Sequence, residues 1–185
     1  FNSDNGAVSA GSTGGLSGSK SNLMEGGIRV PGIVEWPGRV KKGFRTSVPA
    51  GTVDIFPTVL DAIGVKGTPA GPLDGISLLP LFDGRMKRRP VPLVFCQRDL
   101  DGKVQAEAVI DNEWKFYRGR QFFGYPSKPQ GPTGEFLFHL EKDPVERNNV
   151  AAAHPEIVKR LSGALAEWQR SVEKDLEKYP AAKQS

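Results

Sequence analysis

The stretch PEIVKRLSGALAEWQRSVEKDLEKYP, residues 155–180, decides the fold of the second half of this 185-residue chain. Its apolar positions are Ile157, Leu161, Leu165, Trp168, Val172 and Leu176, each three or four residues after the last. That spacing lays them along one stripe of an α-helix and leaves Glu, Lys and Arg on the other faces. Pro155 suits the first helical position, where a missing N–H costs nothing, and Pro180 closes the far end. Trp168, lying on the stripe, is expected to pack in a core. A long helix with one apolar stripe needs a flat apolar partner.

That partner is legible just upstream. Val91–Gln97, Ala106–Asp111, Trp114–Arg118 and Glu135–Leu140 are rich in β-branched and aromatic residues and read as four strands. Asp111-Asn112-Glu113 makes a tight connection between the middle two, which forces them antiparallel. Residues 91–185 are therefore expected to form a small α+β unit, an antiparallel sheet covered by one long helix.

The front half, residues 1–90, reads differently. Residues 1–22 are dominated by Gly and Ser and form a loop. Ile28 to Gly38 reads as an apolar strand ended by Pro37-Gly38. Its run Ile33–Trp36 lacks alternation, so burial on both faces is expected. Val53 to Ile63 has helical spacing, with Asp54 as N-cap, Pro57 in the first turn and Gly64 as the stop. A short helical turn follows at Ser77–Leu81, inside a Gly-, Pro- and Arg-rich surface connection over 65–92. This is α/β material, part of a larger sheet.

Composition narrows the class. Hydrophobic residues make up 38% and charged residues 25%, with 22 Gly and 15 Pro, which is loop-rich yet too apolar for disorder. Cys96 is the single cysteine, so no internal disulfide forms, and no apolar run is long enough for a transmembrane helix. The net charge of +4 is matched by Arg85, Lys87, Arg88 and Arg89 alone, which read as a solvated basic loop. No nucleic-acid module surrounds them. The chain opens on Phe1 without a methionine or an apolar leader, and reads as a piece of a longer polypeptide.

Three short motifs could carry chemistry. Asp4-Asn5-Gly6 puts a carboxylate beside an amide oxygen, hard donors suited to Ca2+ or Mg2+, in what is otherwise a turn signal. Lys20 sits within Gly18-Ser19-Lys20-Ser21-Asn22, where an ammonium near a divalent metal could bind an anionic oxygen or protonate a leaving group. Glu25-Gly26-Gly27-Ile28-Arg29-Val30-Pro31 follows, its paired glycines permitting close backbone approach.

In this order the motifs resemble the formylglycine-dependent (type I) sulfatases of the alkaline-phosphatase-like superfamily. Trp36-Pro37-Gly38, Asp54-Ile55-Phe56-Pro57-Thr58, Leu73-Asp74-Gly75-Ile76-Ser77, Asn112-Glu113-Trp114-Lys115 and His139-Leu140-Glu141-Lys142-Asp143-Pro144 continue the resemblance, as does Glu146-Arg147-Asn148-Asn149-Val150. The resemblance implies that Asp4 and Asn5 are two ligands of an active-site Ca2+. It implies that Lys20 is catalytic, contacting the sulfate ester and helping the alcohol leave, and that Glu25 shapes a turn. The nucleophile of such enzymes is a formylglycine made within Cys/Ser-x-Pro-x-Arg, and that motif is absent here. Cys96 is followed by Gln97-Arg98-Asp99, while Ser47-Val48-Pro49 and Ser127-Lys128-Pro129 lack the arginine. His139 and His154 read as structural.

The expectation is thus a C-terminal portion of a sulfatase acting on an aryl or carbohydrate sulfate. Residues 1–90 would end its catalytic domain, 91–185 would form a C-terminal subdomain, and 121–134 would lend one wall to the substrate site. Its partner would be the N-terminal part of the catalytic domain, carrying the nucleophile; alone, the chain is expected to be inactive. Family resemblance suggests a periplasmic or secreted protein. The rival readings are a phosphomonoester or phosphonate hydrolase of the same superfamily, and a non-catalytic module binding polyanions through residues 85–89.

Overall fold

The computed structural model describes residues 1–8, 11–66, 73–123 and 128–178. Its scaffold is a four-stranded antiparallel sheet of β1 (Leu93–Arg98), β2 (Val104–Asp111), β3 (Trp114–Phe123) and β4 (Lys128–His139), neighbours in chain order. All four expected strands are present. The last two extend as longer arms than the apolar pattern alone indicated, and residues 124–127 between them lie outside the described residues.

Asn112 turns the chain between β2 and β3 at φ 53°, a left-handed conformation that Asn adopts more readily than most residues. Its carboxamide also clamps a distant backbone. Oδ1 accepts from the Arg89 N–H at 2.7 Å, and Nδ2 donates to the Arg89 carbonyl at 3.1 Å.

Alternation divides the sheet into two apolar faces. Val109, Phe116 and Leu137 point to one side and meet Leu161 and Leu165 of α4 (Pro155–Lys178), all five fully buried. Burial of such a side chain stabilises by roughly 1.5–3 kcal/mol. Trp168 is half-buried against this cluster, as expected for core packing. Two polar contacts fix the angle of the helix: Arg160 pairs with Asp111, and Gln169 Nε2 donates to Glu107 Oε1 at 2.5 Å. Pro155 is the first helical residue; Pro180 lies outside the described residues.

The opposite face, with Ala106, Ala108, Tyr117, Phe136 and Phe138, is closed by Met24 from the front half. The front half thereby serves as the second lid of the sheet.

Elsewhere the front half departs from expectation. Ile28–Gly38 does not form a strand buried on both faces. Glu25–Ile28 is a single helical turn, α1, while Ile33 is 61% exposed and Val34 50% exposed. Among the described residues the only ladder there is an isolated bridge, Asn2 opposite Gly32, reinforced by hydrogen bonds between Phe1 and Ile33 in both directions. An apolar run becomes a buried strand only where neighbours cover it, and no described strand lies beside this one.

The helix at 55–62, α2 (Ile55–Ala62), follows a 3-10 turn at Thr52–Asp54 and ends at Gly64, φ 74°, as expected. Asp54 does not cap α2 with its side chain. Its carboxylate is drawn the other way, accepting from the N–H groups of Gly51 and Ile76 and pairing with Arg89. The short turn near 77–81 is α3 (Leu79–Phe82), two residues later than anticipated.

Candidate active site

Three backbone segments are laid against one another at the front of the molecule. The Gly6 N–H donates to the Gly27 carbonyl at 2.8 Å, Lys20 N–H to the Ala7 carbonyl at 3.1 Å, and Gly26 N–H to the Ser17 carbonyl at 2.6 Å. Only glycine permits this approach: a Cβ on Gly6 would stand 1.9 Å from the Gly26 oxygen, and one on Gly27 2.1 Å from the Asn22 oxygen. The glycines of the Glu25–Pro31 motif therefore do what the sequence implied.

This packing brings Asn5 and Lys20, fifteen positions apart, onto one cleft of about 820 Å³ that Arg29 also lines. Lys20 is exposed, and among the described residues its ammonium has no side-chain partner. Asp4 is exposed next to Asn5 but is not among the cleft-lining residues. The carboxylate of Asp4 and the carboxamide of Asn5 are likewise uncommitted. Among the described residues no group of three His, Cys, Asp or Glu side chains is arranged to hold a metal ion. Two donor side chains with three oxygens between them are thus available, fewer than the six to eight that Ca2+ takes.

Next in the chain to Gly26, which lines the cleft, Glu25 belongs to a buried ionic cluster that sequence reasoning missed. Lys115 on β3 is fully enclosed, its Nζ 3.1 Å from Glu25 Oε1 and 2.7 Å from Glu146 Oε1. Glu146 Oε2 in turn accepts from the Glu25 backbone N–H at 2.6 Å. Burial by itself pulls the Lys115 ammonium down; the two carboxylates reverse this and hold it above its ordinary value. Burial pushes the Glu146 carboxyl up, against the pull of Lys115. Arg29 adds a second positive charge, 3.7 Å from Glu25. Glu25 does shape its turn, but as one corner of this cluster. Separations of 90 and 121 positions leave no local pattern to read.

The Asp143–Val150 loop presents Glu146. Asp143 Oδ2 accepts from the Asn148 N–H, Asn149 Oδ1 accepts from the Leu137 and Ala151 N–H groups, and Glu146 itself sits at φ 56°. The Val145 carbonyl accepts from Ser17 Oγ at 2.5 Å. The acidic and amide residues of this segment thus serve the loop.

The remaining candidates stand away from the cleft. Cys96 is half-buried on β1, and burial pushes its thiol up, the reverse of an activated nucleophile. His139 and His154 flank Trp114 edge-on at 4.7 and 4.9 Å. In the basic run, Arg85 pairs with Asp83, Arg88 with Glu113 and Arg89 with Asp54, leaving Lys87 as the uncommitted member. Ser127 lies outside the described residues, as does the middle of the segment 121–134.

The family described as "N-sulphoglucosamine sulphohydrolase, C-terminal" matches residues 19–171, and the chain belongs to it. Human steryl-sulfatase is 32% identical over 172 residues, covering 82% of this chain and 29% of that protein. The N-acetylgalactosamine-6-sulfatase of Sus scrofa is 30% identical over 187 residues, 87% of this chain and 35% of the relative. Among solved structures, one from a glycosaminoglycan-metabolism locus of Bacteroides thetaiotaomicron superposes with a TM-score of 0.72 at 25% identity, over 92% of this chain and 38% of that one. The chain spans about a third of the length of the relatives it matches. No helix among the described residues is long and apolar enough to cross a membrane.

Proposed function

We propose that these residues are the C-terminal portion of a sulfatase and supply one side of its active site, with Lys20 as a catalytic residue and Asp4 and Asn5 as two ligands of a Ca2+ ion. The observation that carries this reading is the convergence of Asn5 and Lys20 on one cleft through glycine-dependent backbone pairing. The relatives, sulfatases by name, supply the reaction class.

In the proposed mechanism the Lys20 ammonium approaches the bridging oxygen of a sulfate ester. As the S–O bond breaks, it stabilises the negative charge growing on that oxygen or transfers a proton to it, so that a neutral alcohol departs. Asp4 and Asn5 fit a hard cation chemically, through side-chain oxygens that nothing among the described residues engages. Bound there, Ca2+ would withdraw charge from the non-bridging sulfate oxygens. The formylglycine nucleophile and the remaining metal ligands belong to the proposed N-terminal part of the catalytic domain, which residues 1–90 would complete. Residues 91–185 form the subdomain in this reading. A carbohydrate sulfate fits the names of the relatives at least as well as an aryl sulfate. Export to a periplasmic or extracellular space goes with such substrates.

The test is the Ca2+ dependence of sulfate-ester turnover by the full-length protein. Asp4→Ala or Asn5→Ala is expected to raise the Ca2+ concentration for half-maximal activity at least tenfold while the folded state persists. Activity that survives chelation, or Ca2+ dependence unmoved in both variants, would remove Asp4 and Asn5 from the site.

A further inference from the structure

We propose that Lys115 is a positioning residue for the loop that carries Lys20, acting through the carboxylates of Glu25 and Glu146; this rests on the reading of Lys20 given above.

Lys115 projects from the start of β3, as its second residue, on the face that Met24 closes, with its side chain fully buried. A buried ammonium needs partners on all sides, and well-packed apolar residues would stabilise the same space at least as well. What the lysine adds is geometry. It joins two carboxylates from segments far apart in the chain, one opening the α1 turn and one in the loop between β4 and α4.

From those two points the contacts lead directly to the cleft. Gly26, next to Glu25, donates to the Ser17 carbonyl, and Ser17 Oγ donates to Val145, next to Glu146. Gly27 accepts from Gly6, adjacent to Asn5, and Lys20 donates its backbone N–H to Ala7. The segments bearing Asn5 and Lys20 are therefore moored to a clamp whose centre is Lys115. Among the described residues Lys20 has no side-chain partner, so the mooring of its backbone is what bounds the reach of its ammonium. Removing Lys115 leaves two buried carboxylates facing each other. The clamp then opens or one carboxyl takes a proton. A displacement of about 1 Å at a reacting group costs on the order of a hundredfold in rate.

The experiment compares full-length wild-type protein, Lys115→Met, Lys20→Ala and the double variant. Two readouts are taken: amide hydrogen exchange, and kcat on aryl sulfates of graded leaving-group pKa. Exchange across residues 17–28 is expected to rise at least tenfold in Lys115→Met, while β2 and β3 change little. The kcat value is expected to fall about 10–100-fold, most for the poorest leaving groups. In the Lys20→Ala background the same substitution is expected to cost under about threefold, because the group it positions is already gone. If Lys115→Met fails to fold, Glu25→Gln/Lys115→Met/Glu146→Gln, with its charges removed together, takes its place. Exchange that rises equally in the sheet and at 17–28, or kcat losses that multiply regardless of Lys20, would overturn the proposal. A wild-type protein without sulfate-ester turnover would instead strike down the Lys20 reading, and the exchange profile alone would then decide the positioning role.

Discussion

Arg89 belongs to the most basic run of the chain, yet its guanidinium is wholly enclosed. It meets Asp54 in a bidentate fork at 2.7 and 2.8 Å, and its Nε donates to the Val91 carbonyl. Burial raises the Asp54 carboxyl, but Arg89 and the N–H groups of Gly51 and Ile76 outweigh it and hold the group below its ordinary 3.8. A depressed carboxyl contributes stability above the unfolded value and loses it as pH falls through the folded value. Acid unfolding of this chain is therefore expected to steepen below about pH 3.8, and Asp54→Asn should flatten that limb. Arg89→Met, which strands a buried carboxylate, is expected to cost about 3–5 kcal/mol in urea unfolding. A loss under 1 kcal/mol would mean that the pair is not closed in solution. Arg85 and Arg88 are engaged as well, at the surface by Asp83 and Glu113, so the run that reads as a solvated basic loop keeps a single uncommitted side chain, Lys87.

Glycine has opposite meanings in two elements. Gly163 lies within α4, and a Cβ there would meet nothing within 4 Å, so Gly163→Ala is expected to stabilise by roughly 0.5–1 kcal/mol. Gly6 packs against α1 with no room for any side chain. Gly6→Ala should displace the Asn5 segment and lower sulfate-ester turnover of the full-length protein at least tenfold, while thermal unfolding of the sheet moves little. Equal activity in wild type and Gly6→Ala would contradict the packing described. The apolar stripe of α4 and the four strands were legible in the sequence because each repeats at the period of its own element. Ile33–Trp36 was not, since a short run of three apolar residues broken by Glu35 does not say whether a neighbouring strand covers it. The Lys115 cluster was invisible for a related reason. Its members come from three elements, and each looks locally like an ordinary charged residue.

In the molecule as a whole, the front half serves two masters. Met24 and Glu25 close one face of the sheet, while Asn5, Lys20 and Arg29 face the open cleft. Several apolar side chains on the same half, among them Ile55, Phe56, Val59 and Ile63, stand half exposed on or just after α2. The order of motifs along the chain made the cleft residues legible together, through the family they resemble; their convergence on one cleft required the fold. The 185 residues alone, lacking a Cys/Ser-x-Pro-x-Arg motif, are expected to give no detectable turnover of 4-nitrophenyl sulfate, measured by release of the nitrophenol. Turnover by the isolated chain would require a different nucleophile among these 185 residues. The central claim is that Lys20 acts on the leaving group of a sulfate ester, and the most direct measurement is kcat/KM of full-length Lys20→Ala on 4-nitrophenyl sulfate beside an alkyl sulfate. The account predicts a loss of at least about a hundredfold, larger on the alkyl ester, with an unchanged melting temperature. Activity within twofold of wild type on both esters would contradict it.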